Sequence, residues 1–264
     1  MVTLIIVVYK TNKLLLKRFL RLVGNKYPLI IVNNSSNYNF KSFKISKKTR
    51  IIKTKNNGNG NGINIGLKKC KTRFALYLDT DIIISKNFID KLLNKRTIDK
   101  EFAVLIPNNG NTKSKKKLTE TYTQEGSVML FNLKKIKKIG FFDENFFLYY
   151  EEIDLFFKCK INNLKVYLIS SLKFKHKKAT SIIDDTGNVK KLRSWHYMWS
   201  MFYYYKKNYN FITAMKKTHV IILKDIVMIL CYLILFNKKK INERFYRLYG
   251  VFSAILGLKS FFRI

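Results

Sequence analysis

Phe74-Ala75-Leu76-Tyr77-Leu78-Asp79-Thr80-Asp81 is the stretch on which the fold reading turns. Five largely apolar residues have the length and composition of a buried strand, and they end at once in two carboxylates. Carboxylates at i and i+2, leaving the end of a strand, can offer oxygen ligands to a hard divalent cation such as Mg2+ or Mn2+. The alternative at these residues is a turn in which Asp bonds its own backbone.

Working outward, similar short apolar runs alternate with helical spacing. Residues 3–9, 29–32 and 50–53 read as strands, and residues 12–23 and 63–69 as helices. Downstream, strands are expected at 102–106, 127–131 and 166–171, and helices at 87–93 and 133–139. From Trp195 onward the chain reads as helical, aromatic and basic. This alternation predicts an α/β fold with a doubly wound, parallel sheet. Ligands bind such sheets beyond the carboxyl ends of the strands. The polar clusters that begin at Tyr9, Asn33 and Asp79 fall at ends of that kind, so they are predicted to converge on one cleft.

The charge has to be read against its distribution. The 264 residues carry 52 Lys and Arg against 16 Asp and Glu, a formal charge of +36. Hydrophobic residues make up 47%, which excludes general disorder. No acid precedes Asp79 although 17 Lys and Arg do, and seven of the 16 acids lie in two short segments, 79–81 and 143–154. A nucleic-acid module would cluster its Arg beside aromatic platforms. Here the Lys are spread along the chain, so no specific nucleic-acid partner is expected.

Cys70, Cys159 and Cys231 lie far apart and in no metal or redox spacing, which predicts reduced, buried thiols in a cytoplasmic protein. The first apolar run, 4–8, is shorter than the 7–15 residues of a signal-peptide core. Residues 219–236 are mostly apolar but are interrupted by Lys224 and Asp225 and flanked by Lys216, Lys217 and Lys238 to Lys240. Two readings stay open for them: a helix lying on an anionic membrane surface, or a core-packed helix.

Two further segments carry chemistry. Asn56, Gly58, Gly60, Gly62, Asn64 and Gly66 form a glycine-rich run whose backbone could approach a nucleotide or its phosphates at a helix N-terminus. An unordered Gly/Asn linker is its alternative. In residues 140–155, aromatic side chains surround Asp143, Glu144, Glu151, Glu152 and Asp154. Burial raises a carboxyl pKa and makes a better general base near neutrality, while the helix dipole alone also favours acids in a first turn. Helical phase puts Glu151 and Asp154 on one face and Glu152 on another. His176 stands alone after a strand-like run, where a structural role is the commoner one.

Taken in order, these segments resemble family 2 glycosyltransferases, in particular the bacterial rhamnosyltransferase-like branch. The resemblance rests on Asn33-Asn34-Ser35-Ser36, on the run from Asn56 to Gly66, on Asp79-Thr80-Asp81, on 126–130 with 140–155, on His176 with Ser181, and on the aromatic, basic residues 195–208. It covers residues 1–210. It implies a GT-A-type nucleotide-diphospho-sugar transferase fold over 1–205, with a mostly parallel central sheet; residues 206–264 are expected to form a helical, basic tail, for which membrane association and core packing both stay open. It implies inverting transfer from a nucleotide-sugar donor to a glycan or lipid-linked acceptor, at the inner face of the cell membrane. By that resemblance, Tyr9, Asn33, Asn56, Gly58, Asn64 and Asp79 hold the donor. Asp79, Asp81 and His176 hold Mg2+ or Mn2+. Gly126, Glu151 and Asp154 face the acceptor, and Glu152 is the catalytic base. Asn33 stands where relatives commonly carry Asp, and Glu152 also replaces an Asp, lengthening the reach by about 1 Å. The competing reading is a basic nucleic-acid- or membrane-binding protein on an inactive glycosyltransferase fold.

Overall fold

The first expected strand forms β1, Val2–Val8, and its alternation sets the layers. Leu4, Ile6 and Val8 join one apolar cluster with Leu16, Phe19 and Val23 of helix α1 (Lys13–Val23). Ile5 joins another with Ile63 and Leu67 of helix α2 (Asn59–Lys69). Successive side chains of a strand point to opposite faces, so a strand apolar at all but one position, Thr3, needs cover on both. Asn12 starts α1, its side chain accepting from the Leu14 amide at 2.9 Å.

The computed structural model describes residues 1–35, 38–95, 101–110, 116–176 and 187–263. Its contacts divide the chain into two compact units, Met1–Phe142 with Leu155–Ile183, and Asp143–Asp154 with Asp184–Ile264.

In the first unit the strands are β2 (Leu29–Asn33), β3 (Thr49–Lys53), β4 (Phe74–Leu78), β5 (Ile82–Ile83), β6 (Phe102–Asn108), β7 (Leu118–Glu120), β8 (Val128–Asn132), β9 (Lys165–Lys173) and β10 (Lys175–His176). The main sheet runs β3-β2-β1-β4-β8-β6-β9-β7. β1 is parallel to β2 and β4, β2 to β3, and β6 to β9. β8 is antiparallel to β4 and β6, and β7 to β9. Helices α3 (Phe88–Lys95) and α4 (Leu133–Ile136) follow their expected places, and a further helix, α5, spans Glu151–Ile161. The α/β class and the strand positions are those the apolar runs predict, each expected strand being found to within two residues, but the sheet is mixed and mostly parallel rather than all parallel, because β8 and β7 run antiparallel.

The glycine-rich run departs from expectation. Helix α2 begins at Asn59, so Gly60, Gly62 and Gly66 are helical, where only residues from 63 onward were expected to be. The reason is close packing. A Cβ on Gly66 would lie 2.5 Å from Ile5 Cγ2, and one on Gly62 would lie 2.9 Å from Val7 Cγ1. Glycine costs a helix interior about 1 kcal/mol relative to Ala. Here it lets α2 lie against β1, and the burial of Ile63 and Leu67 offsets that cost.

The second unit is helical, built from α6 (Asn188–Asn208), α7 (Phe211–Ile234) and α8 (Lys238–Ile255). Asn210 caps α7 through the Thr213 amide at 2.8 Å, and Asn237 caps α8 through Lys240 at 3.2 Å. Trp195, Trp199 and Phe202 of α6 form a core with Ala214 and Ile222 of α7 and Val251 and Ala254 of α8. Gly250 makes the α6–α8 contact possible, because a Cβ there would lie 2.1 Å from the Trp195 carbonyl oxygen.

The segment with two open readings shares features of both. Ala214, Thr218, Ile222 and Asp225 form a buried face of α7, while its opposite face is exposed. Among the described residues no helix is long and apolar enough to cross a membrane. Cys70 and Cys159 are buried free thiols as expected, but Cys231 is exposed, because it falls on that outer face.

Candidate active site

The polar clusters at the strand ends do converge. The Asn34 amide donates to the Val8 carbonyl at 2.8 Å, and the Lys10 amide to Ser35 Oγ at 2.6 Å, which ties the end of β2 to the turn holding Tyr9. Asn34 Nδ2 reaches Asn56 Oδ1 and the Gly58 carbonyl, each at 3.4 Å, fixing the loop before α2. At the head of α2, Asn59 Oδ1 accepts from the Tyr77 hydroxyl at 3.2 Å, and that hydroxyl also bonds Asp79. The carboxyl ends of β1, β2 and β4 are thus joined through the glycine-rich segment.

Asn33 is fully buried. Its Oδ1 accepts from the Ser35 amide at 3.0 Å, and its Nδ2 has no hydrogen-bond partner among the described residues. A buried donor left unpaired costs about 1–3 kcal/mol, so a ligand offering an acceptor there would be favoured. Asn64 is buried and clamps Phe142 through both backbone groups, at 2.9 and 3.0 Å. Its amide braces α2 against residues 140–142. Ser36 and Ser181 lie outside the described residues.

The candidate metal ligands come together by a local device. β10 pairs antiparallel with β5, and His176 sits opposite Ile82, the residue after Asp81. His176 Nε2 consequently lies 2.9 Å from Asp81 Oδ1 and 3.7 Å from Asp79 Oδ2. One ligand atom from each of the three lies within 4.8 Å of the others. Two carboxylates and an imidazole are a donor set suited to a divalent cation, and the spacing lets one ion reach all three.

The opposite nitrogen is held as well. His176 Nδ1 lies 3.0 Å from Ser127 Oγ and 3.3 Å from Glu125 Oε1, and Glu125 in turn accepts from Asn109 Nδ2 at 2.8 Å. Such outer partners fix the ring orientation of a metal-ligating histidine. Burial lowers the imidazole pKa, but the bonds to Asp81 and Glu125 and the charges of Asp79 and Asp81 outweigh it and raise the pKa to about 10. Gly126 lies between Glu125 and Ser127. Sequence reasoning missed Glu125, Ser127 and Asn109 as partners of the site. No motif marks them: Glu125 and Ser127 reach His176 from the loop that enters β8, and Asn109 reaches Glu125 from the end of β6.

The carboxylates of the aromatic segment belong to the second unit. Tyr149 and Tyr150 have φ of 68° and 67°, a conformation side chains rarely adopt, immediately before Glu151 opens α5. Two residues held there cost on the order of 1–3 kcal/mol each, and such strain clusters at functional sites. Glu151 and Asp154 are buried while Glu152 is half-exposed, as helical phase predicts. Asp154 accepts from Lys207 Nζ with both oxygens at 2.8 Å and from Asn208 Nδ2 at 2.8 Å. Lys207 also bonds Asp143 at 2.8 Å. Burial raises the Asp143 pKa, but the Lys207 and Asn145 bonds prevail and hold it below the ordinary carboxylate range.

Residues 3–168, more than half of the chain, match the model of Glycosyl transferase family 2. The chain belongs to that family. Among curated proteins no sequence matches it. The fold is similar to solved glycosyltransferases. The crystal structure of GalNAc-T7 with UDP, GalNAc and Mn2+ superposes with a TM-score of 0.57 at 12% identity, over 77% of this chain and 50% of that one. Residues 1–349 of S. aureus TarS give 0.54 at 11% identity, covering 97% and 91%. The mannosyltransferase PcManGT from Pyrobaculum calidifontis, solved with GDP-Man and Mn2+, gives 0.57 at 9% identity, covering 97% and 87%. This family 2 chain spans half the length of GalNAc-T7 and 39% of the longer TarS chain. Its helical C-terminus falls outside the matched family segment.

Proposed function

We propose that this family 2 chain is an inverting, metal-dependent glycosyltransferase. It moves a sugar from a nucleoside-diphosphate donor to a hydroxyl of a glycan or lipid-linked acceptor, as in rhamnosyl transfer during surface-polysaccharide synthesis. It works in the cytoplasm, at the inner face of the cell membrane. The observation that carries the reading is the meeting of Asp79, Asp81 and His176 at the end of β4 in a chain of this family.

Asp79, Asp81 and His176 hold Mg2+ or Mn2+, which when bound offsets negative charge growing on the leaving nucleoside diphosphate. Glu125 and Ser127 orient His176 so that its Nε2 faces the two carboxylates. Tyr9, Asn33, Asn56 and Gly58 line the strand ends on the donor side, and the unpaired Nδ2 of Asn33 offers a donor to a base-edge acceptor. Asn64 supports that side through Phe142.

Glu152 is the general base. It accepts the proton of the acceptor hydroxyl as that oxygen bonds the anomeric carbon and the bond to the diphosphate breaks, its electron pair leaving with the phosphate oxygen. Gly126 and Glu151 are assigned to the acceptor; Asp154, which the resemblance also gives to the acceptor, is fully buried on Lys207 and Asn208 and so serves to anchor the Glu152 turn.

Sugar transfer assayed over a panel of nucleotide sugars with Mg2+ and with Mn2+ tests this reading. Glu152→Gln and Asp81→Ala are each expected to lower transfer by at least about 100-fold. Full transfer by both variants would overturn the assignment.

A further inference from the structure

The outer face of α7 is the largest feature that sugar transfer leaves unused. Val220, Leu223, Val227, Leu230 and Ile234 recur at i, i+3, i+7, i+10 and i+14, a spacing that places them on one stripe of a helix. All five are exposed, at 56 to 78%. Leu235 and Phe236 extend the stripe beyond the helix end and are exposed too. Water-facing apolar surface on this scale marks an interaction site.

What covers it follows from its charges. Lys216 lies on the same stripe one turn ahead of Val220, Lys224 borders it, and Lys238, Lys239 and Lys240 follow its far end. The one acid of α7, Asp225, is turned away. It is fully buried and bonded to Arg244 at 2.7 Å and to Arg247 at 2.6 Å. The outer face of α7 is therefore apolar with basic borders and carries no acid. A second copy of the chain would bring like charges together, whereas an anionic lipid surface neutralises them. The stripe is about 21 Å long at 1.5 Å per residue, shorter than a hydrocarbon core of about 30 Å. It suits a helix lying flat in the headgroup region.

We infer that the exposed Val220–Ile234 stripe of α7, with its flanking lysines, is a docking face for an anionic lipid bilayer. Apolar side chains enter the acyl boundary, and the lysines meet the headgroups. Such a face would hold the enzyme where a lipid-linked acceptor is presented. The inference deepens the membrane part of the proposed function, but its test uses no donor, acceptor or metal, so either can fail alone.

The test is flotation of the full chain with vesicles of phosphatidylcholine and phosphatidylglycerol (3:1), compared with phosphatidylcholine alone. The wild type is expected to float with the anionic vesicles and at least about tenfold less with the neutral ones. Replacing Lys238, Lys239 and Lys240 by Gln should weaken the anionic binding by about 100-fold, near fivefold for each lysine. The triple variant Leu223→Gln, Val227→Gln, Leu230→Gln should lose flotation. A single Leu230→Trp, made at an exposed position, should blue-shift and become quenched by brominated lipid. No flotation of the wild type, equal flotation of the triple variant, or an unchanged Trp signal each overturns the inference. So does a wild-type dimer that the triple variant converts to monomer without any lipid binding, since the stripe would then be a subunit interface.

Discussion

His176 Nε2 lies 2.9 Å from Asp81 Oδ1, although 95 positions of chain separate the two residues. The two-residue ladder between β5 and β10 sets that distance. The other face of the imidazole rests on Ser127 and Glu125. The candidate metal centre is therefore a small network with an outer layer of its own.

The first prediction concerns that outer layer. Glu125→Gln keeps the size of the side chain but removes the charge behind His176 Nδ1. Loss of such a partner typically costs 10- to 100-fold in metal affinity, so Mn2+ affinity measured by calorimetry should fall by about that factor. Asp81→Asn removes a ligand and should weaken binding further. If Glu125→Gln binds Mn2+ as tightly as the wild type, Glu125 does not orient the ligand.

The glycines of the packed helices give a second. Gly66→Ala gains about 1 kcal/mol of helix propensity but drives a methyl into Ile5 Cγ2, a stiff β-branched group. Overpacking of this kind costs about 1–3 kcal/mol, so denaturant unfolding should show net destabilisation. Gly66→Ala combined with Ile5→Ala should show a smaller added loss than Gly66→Ala alone does. Gly250→Ala should be worse, since its neighbour is a backbone carbonyl that cannot rotate away.

Lys207 holds two carboxylates, one of them fully buried. Removing one partner of a buried pair leaves an uncompensated charge, and Lys207→Ala should cost about 3 kcal/mol in urea unfolding. A neutral result would mean that the Lys207 pairing does not stabilise the fold.

His196 supplies a pH dependence. It is fully buried, stacks on Phe147 at 4.7 Å, and faces the Phe262 carbonyl at 2.9 Å from Nε2. Burial drives its pKa down to about 4 from 6.5, the Phe262 bond opposing and the charge of Arg263 assisting. The unfolded chain then binds more protons between those values. Its contribution is complete above pH 6.5 and is lost as pH falls through 4, by at most about 3 kcal/mol. His196→Phe should flatten the slope of unfolding free energy between pH 4 and 6.5, and an unchanged slope would assign it to other groups.

The strands were legible because period and apolarity act locally: every residue from Val2 to Val8 is suited to a buried strand, whatever it packs against. Asp79 and Asp81 were legible for the same reason, since they end such a run. The β7 strand at Leu118–Glu120 was not, because three half-polar residues carry too little pattern. Nor could the sequence show that Gly62 and Gly66 serve helix packing, for a glycine reads alike in a loop and against a strand.

The chain by itself thus determined an α/β alternation, the place of the carboxylate pair, and the scarcity of acids that makes the pair conspicuous. These depend on composition and on spacings of a few residues. Only the tertiary structure decided that β8 runs antiparallel, that Glu125 and Ser127 stand behind His176, and that Asp154 belongs to Lys207. It also settled that the outer face of α7 has no cover within the described chain, while Asp225 is neutralised behind it. Those facts depend on which distant segments are brought together, and on burial, which sets whether a charge or an apolar side chain must find a partner.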